Sequence, residues 1–376
     1  MTAPGHAVTG PTGAEREVLE QLRRALSSDS GILDSHIVEV AANEPPWQTT
    51  DIRLERGQRV STFAVGTVTP VPGLDIQLGP AFQLWGRVGG TGPIFRGTRA
   101  TNTFTAAADG PLELASYFPG EWADEDGGLG VPTEAYSYAT GGLGVLVVRW
   151  APDADPATAL RPHGGEPSGL VDIELDRLGG TVAPPEGWRY LWYLGDSEIF
   201  SASTDPSAST GHQGSVINCH TSGDVGILQH DVDLPLTDAT KIRWDWRFDE
   251  LPSARAEDTL ATHDYISLAV EFDNGQDLSW YWSSSLPVGH SYRCPIPTWA
   301  AKETHLVLRS GTTALHSWLT EERPVRSDYA GAIGPPPERI VRVWLIAVTL
   351  FQRGTGHGAF RDIIVTDGAR DIRIQP

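Results

Sequence analysis

The sequence predicts an all-β protein made of two antiparallel β-sandwich, jelly-roll-like domains with a short N-terminal amphipathic helix. Gly (41) and Pro (28) are frequent and Trp (13) outnumbers Phe (10), a combination typical of sandwiches with many turns and aromatic cores. Apolar residues alternate with a period of two after Gly31. Two Trp-x-Trp pairs, Trp244-Asp245-Trp246 and Trp280-Tyr281-Trp282, each place two indoles on one face of a strand.

Composition narrows the classes of partner. The 376 residues are enough for two domains, and the net charge of −20 disfavours nucleic acid and anionic membrane surfaces. Residues 1–13 lack a basic stretch followed by an apolar one, and no apolar run reaches the roughly 20 residues that span a bilayer, so we expect a cytoplasmic protein. The spacing of Cys219 and Cys294 defines no disulfide framework, and free thiols are expected.

The first 30 residues are expected to form a disordered tail and one helix. Thr12 and Glu15 have the spacing of a capping box, and four apolar residues then fall on one helical face. These residues are Val18, Leu19, Leu22 and Leu26. The apolar stripe must dock on the body of the protein or on a partner, so a homo-oligomer is one option.

Period-two segments between Gly and Pro residues define the strands of each domain. A first sandwich is expected at residues 31–150, with strands at Ile37–Ala41, Asp51–Leu54, Gln58–Val65, Phe82–Val88, Ala100–Ala106, Leu112–Ser116 and Leu143–Trp150. A linker at 151–187 contains one strand-like piece, Leu170–Leu175. The second sandwich, 188–376, has expected strands at Val216–Asn218, Val225–Val232, Lys241–Phe248, Tyr265–Phe272, Leu278–Trp282, Thr304–Arg309, His316–Glu322, Val341–Phe351 and Phe360–Thr366.

The first domain resembles the PA-I-type galactophilic lectins, a jelly-roll family with a galactose-binding-like fold. The matching stretches within 37–128 are Val40-Ala41-Ala42-Asn43-Glu44, Leu54-Glu55-Arg56-Gly57-Gln58-Arg59-Val60, Leu84-Trp85-Gly86-Arg87-Val88-Gly89, Asp109-Gly110-Pro111-Leu112-Glu113-Leu114 and Phe118-Pro119-Gly120. The resemblance implies a calcium ion that holds two sugar hydroxyls. Glu121, Asp124 and Asp126 could supply its oxygen ligands. Tyr117 and Leu54 replace two ligands of the family, and a solvated acidic loop is the alternative.

The second domain resembles a bacterial family of unknown function with a paired-tryptophan strand. The matching stretches within 215–368 are Arg243-Trp244-Asp245-Trp246-Arg247, His263-Asp264-Tyr265, Val270-Glu271-Phe272-Asp273, Leu278-Ser279-Trp280-Tyr281-Trp282, Leu286-Pro287-Val288-Gly289, Trp318-Leu319-Thr320-Glu321-Glu322-Arg323, Ser327-Asp328-Tyr329 and Arg361-Asp362-Ile363. The resemblance implies a jelly roll and no established activity. The chain departs from the family at His263, where a second Asp is usual, and at 350–353, where an acidic stretch is replaced.

Strand alternation predicts a polar face opposite the tryptophans. If the strands near 244, 266 and 280 are neighbours, that face combines Arg243, Asp245, Arg247, His263, Tyr265, Ser267, Glu271, Ser279, Tyr281 and Ser283. Such a face could bind a polyol, because Arg and Asp can each hydrogen-bond to two neighbouring hydroxyl groups and an aromatic ring covers the apolar side of a sugar. We assign ligand binding to Arg243, Asp245, Glu271, Tyr281 and Trp318. A solvated face with cross-strand ion pairs is the alternative.

Acid–base chemistry has four candidate residues, His263, Asp264, Tyr265 and Arg247. Neighbouring strand residues point to opposite sides, so His263 and Asp264 do not form a ready dyad, and Asp264 also suits a structural hydrogen-bond acceptor. The same divergence disfavours a Cys219–His220 nucleophile. The eleven histidines show no H-x-H or H-E-x-x-H spacing, so zinc is not expected.

Three functions remain open from the sequence. The first is a non-catalytic protein that binds a carbohydrate or similar polyol, with no cofactor except calcium. The second is a lyase, hydratase or hydrolase that acts on a small, partly apolar molecule in an aromatic-lined pocket. The third is a structural or assembly protein that uses its N-terminal helix for oligomer contacts.

Overall fold

The computed structural model describes residues 10–27, 31–44, 46–71, 73, 76–117, 122–204 and 215–374. The chain divides into two compact units, Met1–Thr181 and Val182–Pro376. Both are built mainly from antiparallel sheets, as the sequence predicts. Among the described residues, no helix is long and apolar enough to cross a membrane.

The N-terminal unit contains two four-stranded sheets, with strand orders β1-β8-β3-β6 and β2-β7-β4-β5. The strands are β1 (Ile32–Ala41), β2 (Trp47–Leu54), β3 (Arg59–Thr69), β4 (Leu84–Val88), β5 (Phe95–Arg96), β6 (Thr101–Thr105), β7 (Gly110–Ser116) and β8 (Thr140–Trp150). The helices are α1 (Gly13–Leu26), α2 (Pro80–Gln83), α3 (Pro156–Leu160) and α4 (Leu170–Gly179), with 3-10 turns at Thr133–Tyr138 and Arg161–His163.

Helix α1 begins at the predicted capping box. The Thr12 hydroxyl accepts from the backbone N–H of Glu15, and the Glu15 carboxylate accepts from the backbone N–H of Thr12 at 2.7 Å. Its apolar stripe lies in one cluster with residues of β3 and β8, including Phe63, Leu146 and Val148. The helix therefore covers one face of the β1-β8-β3-β6 sheet, while the other face packs in the core between the sheets.

One strand prediction in this unit is wrong, and another begins two residues too early. Leu170–Leu175 is the beginning of helix α4, because Leu170, Val171 and Glu174 fall on one buried helical face. The Glu166 carboxylate accepts from the backbone N–H of Val171 near its start. The predicted strand Phe82–Val88 begins only at Leu84, because Pro80 starts a single helical turn.

The C-terminal unit contains a six-stranded and a seven-stranded sheet. The first has the order β10-β11-β20-β13-β18 with β21 paired to β20, and the second has the order β16-β17-β15-β14-β19-β12-β9. The strands are β9 (Arg189–Tyr190), β10 (Phe200–Thr204), β11 (Ser215–Ser222), β12 (Val225–Pro235), β13 (Lys241–Glu250), β14 (Tyr265–Phe272), β15 (Asp277–Ser283), β16 (Ser291–Arg293), β17 (Glu303–Ser310), β18 (Leu319–Pro324), β19 (Arg339–Val348), β20 (Thr355–Thr366) and β21 (Asp371–Ile374). Helix α5 is Val325–Ala332, and a 3-10 turn is at Leu260–Thr262.

The strand pairs are antiparallel except β15 and β17, which run parallel and are joined by the crossover that contains β16. The two sheets enclose one apolar core in which all four paired tryptophans are buried. Trp246 and Trp282 approach from opposite sheets with ring centroids 6.2 Å apart. The prediction that both pairs face a sandwich core is therefore confirmed.

Candidate functional sites

The single polar face that we predicted across three strands does not exist. Strand β13 belongs to the six-stranded sheet, whereas β14 and β15 belong to the seven-stranded sheet on the other side of the core. Arg243, Asp245 and Arg247 therefore point away from the core on one side, and Tyr265 and Tyr281 point away on the other. Alternation fixed the face that each residue occupies but not which strands are neighbours.

On the six-stranded sheet, a polar cluster surrounds a partly exposed tryptophan. We call Asp245, Arg247, Trp318, Thr320 and Arg361 the Trp318 patch. The guanidinium carbons of Arg361 and Arg247 lie 4.1 Å and 5.4 Å from the centre of the Trp318 ring. Cation–π contacts of this kind hold the indole in place.

The carboxylate of Asp245 joins the outer strands of the Trp318 patch. Its Oδ1 accepts from Thr320 Oγ1 at 2.7 Å, and its Oδ2 accepts from Arg361 Nε at 3.3 Å. Register explains this contact, because β13 places Asp245 opposite Thr320 on β18 and opposite Arg361 on β20. The patch thus presents acceptors and donors on three adjacent strands, with one aromatic ring from the residue that directly precedes β18.

The residues that we assigned to ligand binding are divided between the two sheets. Arg243 lies on the outer side of β13 opposite Glu322, on the same face as the Trp318 patch. Glu271 is on the other sheet, where its carboxylate accepts from Arg342 Nη1 and from Trp344 Nε1. Tyr281 is fully buried there, and its hydroxyl lies 3.1 Å from that of Tyr292.

Part of the outer side of the seven-stranded sheet, around β14, β15 and β17, is covered rather than exposed. Trp299, from the crossover between β16 and β17, packs on Trp344 of β19 with ring centroids 6.3 Å apart. Glu257, from the connection between β13 and β14, accepts from the Ser283 hydroxyl at 2.5 Å and from the backbone N–H of Ser284 at 2.9 Å. These connections bury a polar layer that sequence alternation assigns to solvent.

Within that layer, four donor side chains meet. His263, Cys294, Glu303 and His305 are each at most 2% exposed, and one ligating atom from each lies within 4.8 Å of the others. We call these residues the buried donor cluster. Cys294 Sγ lies 3.3 Å from His263 Nε2, and Glu303 Oε2 lies 3.5 Å from His305 Nε2.

Two further hydrogen bonds orient the buried donor cluster. His263 Nδ1 is 2.7 Å from the carbonyl oxygen of Glu257, and the Tyr265 hydroxyl donates to Glu303 Oε1 at 2.7 Å. Burial, followed by repulsion from His305, lowers the pKa of His263 to about 3. Burial alone raises the pKa of Glu303, but the neighbouring His305 and the hydrogen bond from the Tyr265 hydroxyl outweigh it and lower that pKa. His263 is therefore neutral and Glu303 ionised at neutral pH.

The four candidate acid–base residues do not form one accessible site. Arg247 is on the opposite sheet from His263 and Tyr265, and both of the latter are buried. Asp264 accepts from the backbone N–H groups of Phe351 at 3.0 Å and Gln352 at 2.7 Å, which is the structural role that the sequence left open. The predicted strand Val341–Phe351 ends at Val348, and its last residues form the turn that Asp264 binds.

Outside this layer, strand alternation places Cys219 and His220 on opposite faces of β11. Both cysteines are free thiols, with Cys219 in the core and His220 exposed on the other face of β11. His220 lies edge-on to His357 of β20, with ring centroids 4.2 Å apart. His230 packs against Trp188.

The predicted calcium loop is only partly described, because Glu121 lies outside the described residues. Asp124 and Asp126 are exposed, and Asp124 Oδ1 accepts from the backbone N–H groups of Asp126 and Gly128. Tyr117, which replaces a ligand of the lectin family, is buried against Trp85 and Trp122. Calcium binding by this loop stays a prediction.

Sequence reasoning missed Cys294, Glu303 and His305. One signal was present, because Glu303 directly precedes the predicted strand Thr304–Arg309, which contains His305, and strand residues two apart share a face. The spacing of histidines does not reveal this cluster, because its donors come from three separate segments: the approach to β14, the crossover after β16, and β17 itself.

One family model matches a large part of the C-terminal unit. Residues 187–364 match a family described as "Protein of unknown function (DUF3047)", in agreement with the resemblance over 215–368. No curated protein matches the chain.

Several solved structures are similar to parts of the chain. One is an EclA N-terminal domain described as a PllA-like lectin (16% identity, 32% of this chain and 98% of that chain, TM-score 0.25). Another is the xyloglucanase domain of NopAA from Sinorhizobium fredii in complex with cellobiose (11% identity, 49% and 94%, TM-score 0.28). A third is a family 11 carbohydrate-binding module from Clostridium thermocellum (15% identity, 49% and 94%, TM-score 0.25). TM-scores this low carry no argument about fold or function.

Proposed function

We propose that the C-terminal unit binds a polyol of the carbohydrate class at the Trp318 patch, without catalysing a reaction on it. The observation that carries the proposal is the partly exposed indole, held by two guanidinium groups and bordered by the carboxylate of Asp245. The proposal keeps the binding function predicted from the sequence but places the binding site at the Trp318 patch, without Tyr281 and Glu271.

The chemistry of the patch suits vicinal hydroxyl groups. A carboxylate accepts from two neighbouring hydroxyls, a guanidinium donates to two oxygens in a fixed fork, and an indole covers the C–H side of a sugar ring. Arg247 and Asp245 expose 36% and 13% of their side chains, so both offer atoms to a ligand while their neighbours limit their motion. Preorganised side chains lose less entropy when a ligand binds.

Mixed charge favours a neutral ligand. Arg247 also donates to Asp249 at 3.1 Å, and the cations of the patch are therefore interleaved with carboxylates. A strongly anionic ligand would meet these carboxylates, and the whole chain carries a net charge of −20. A neutral saccharide avoids both penalties.

The enzyme alternative has less support among the described residues. Its proposed acid–base group is divided between two sheets, and its histidine and tyrosine are buried beneath the connections that cover the seven-stranded sheet. A binding role needs only the exposed patch.

Calorimetric titration of the full chain with a panel of neutral mono- and oligosaccharides, with calcium and with a chelator, tests the proposal. We expect binding that does not require calcium and that weakens about tenfold or more in Trp318→Ala, which corresponds to about 1.4 kcal/mol. Trp192→Ala is the matched control, because Trp192 is an exposed tryptophan of the same unit outside the patch.

A further variant separates recognition from folding. Asp245→Asn keeps the shape of the side chain and removes its charge, so we expect weaker binding with a near-native circular dichroism spectrum. The proposal fails if no saccharide binds in either condition, or if Trp318→Ala and Asp245→Asn bind as well as the wild-type chain. Binding that requires calcium and survives both substitutions would assign the activity to the N-terminal unit instead.

A further inference from the structure

We propose that His263, Cys294, Glu303 and His305 bind one zinc ion in a closed, four-coordinate structural site. The site lies beneath the connections that cover the seven-stranded sheet, apart from the Trp318 patch. It is independent of the proposed saccharide binding.

The donor set and its spacing fit a tetrahedral ion. Zinc takes imidazole nitrogen, thiolate sulfur and carboxylate oxygen at about 2.0–2.3 Å, so that neighbouring donors of a tetrahedral site lie about 3.3–3.6 Å apart. The Cys294–His263 and Glu303–His305 atom pairs are already separated by 3.3 Å and 3.5 Å. All four donor atoms lie within 4.8 Å of one another, so a small contraction completes the geometry.

His305 is a buried side chain whose ring nitrogens make no hydrogen bond among the described residues. Its side chain is 0% exposed, and neither ring nitrogen makes a hydrogen bond in the described structure, although Nε2 faces Glu303. Leaving a polar group without a hydrogen bond in the protein interior is unfavourable. A metal ion at this position would use the lone pair that no hydrogen bond uses.

Charge balance also favours a divalent ion. A thiolate from Cys294 and a carboxylate from Glu303 carry two negative charges, and two neutral imidazoles add none, so Zn²⁺ makes the buried site neutral. Burying a charge without such compensation is strongly unfavourable. The mixture of nitrogen, sulfur and oxygen donors suits zinc better than magnesium or calcium, which prefer oxygen alone.

The surrounding hydrogen bonds have the form found around metal ligands. Histidine ligands commonly donate their other ring N–H to a carbonyl oxygen, and ligating carboxylates are commonly hydrogen-bonded in turn. His263 Nδ1 lies 2.7 Å from the Glu257 carbonyl, which leaves Nε2 facing Cys294, and Tyr265 donates to the second oxygen of Glu303. These contacts fix the donors before an ion arrives. Since every donor is buried and comes from the protein, the site has no position for substrate and its role is structural.

Metal content and cobalt spectroscopy of the full chain test this inference. We expect about one zinc per chain after expression with zinc and dialysis against a weak chelator. Refolding with Co²⁺ should give the thiolate-to-cobalt charge-transfer absorption of a tetrahedral site. Cys294→Ser should abolish that absorption, and both Cys294→Ser and His305→Asn should lower the zinc content at least tenfold.

Cys219→Ser is the matched control, because Cys219 is the other buried thiol of this unit and should leave the metal content and the spectrum unchanged. If the cluster variants do not fold, the wild-type chain still tests the inference. Its unfolding midpoint should be higher with zinc than with a chelator. The inference is overturned if the wild-type chain folds with less than about 0.1 zinc and shows no thiolate–cobalt band, or if Cys294→Ser binds metal as the wild type does.

Discussion

Trp244 and Trp280 pack across the C-terminal sandwich with ring centroids 5.8 Å apart, each contributed by a different sheet. Each belongs to one Trp-x-Trp pair. The two pairs therefore pack against each other between the sheets and do not lie side by side on one sheet. Both indoles are 0% exposed. The contact therefore makes the sheets depend on each other for stability.

Replacing Trp244 by Ala should lower the free energy of unfolding by about 3–5 kcal/mol, because a large buried ring is removed from a closed core. Trp244→Phe should cost less, since it keeps a ring and also deletes an indole N–H that has no hydrogen-bond partner. Urea unfolding followed by circular dichroism measures both values. Equal losses for the Ala and Phe variants would contradict this account of the core.

Asp264→Ala should destabilise the protein by about 2–4 kcal/mol, because it leaves two backbone N–H groups, of Phe351 and Gln352, without their acceptor. Asp264→Asn keeps one acceptor oxygen and should lose about half as much. Hydrogen exchange at these two amides should accelerate in the Ala variant. Asp273→Ala, which changes an exposed carboxylate of the same unit, is the control; a loss as large in that variant would argue against a specific role for Asp264.

In the N-terminal unit, the ion pair between Asp34 and Arg149 should stabilise the fold only at sufficiently high pH. The hydrogen bond with Arg149 lowers the pKa of Asp34 in the folded protein below its unfolded value of about 3.9. Its contribution is therefore fully present above about pH 4 and is lost as the pH falls through the lower, folded pKa.

The free energy of unfolding of Asp34→Asn tests this dependence against the wild-type chain. The variant should be less stable at pH 7 by about 0.5–1 kcal/mol, the range of partly exposed pairs, and the difference should shrink towards pH 3. Asp51→Asn, at an exposed carboxylate, should show no such convergence. A difference that stays constant between pH 7 and pH 3 would rule out the ion pair as its source.

The N-terminal helix should stabilise its own unit rather than mediate oligomer contacts. Leu22 of α1 is buried in the cluster that contains Leu146 and Val148 of β8. Leu22→Ala should cost about 2–5 kcal/mol of unfolding free energy without changing the mass in solution, measured by light scattering. Arg24→Ala, on the exposed side of the helix, should change neither quantity; a fall in mass for Leu22→Ala would instead support the assembly role.

The period of each segment could be predicted from the sequence because burial repeats along a strand or helix. The helix at Gly13–Leu26, its capping box and the inward tryptophans follow from that local rule. The pairing of strands could not be predicted, because β13 pairs with β18 and β20, whose residues are about 75 and 115 positions later. For this reason the prediction of a single polar face across three strands is wrong.

The buried donor cluster could not be predicted from local sequence patterns, for a related reason. Sequence alternation correctly placed His263 and Tyr265 opposite the tryptophans, but it cannot show that a later crossover covers that side of the sheet. The sequence around Thr304 fits a strand with one exposed face, but in the structure Tyr292 stacks on His305 with ring centroids 5.0 Å apart. The outward side of a strand is exposed only where no connection crosses it.

The parallel pairing of β15 and β17 also sets an order of events during folding. The chain leaves β15 at Ser283, passes through the edge strand β16 and returns to β17 in the same direction, so β17 can pair with β15 only after this long excursion has docked. Closing such a loop is slow compared with forming a hairpin. We therefore expect docking of the crossover to be a late step in folding, and the tyrosines and histidines that it covers should face water until it occurs.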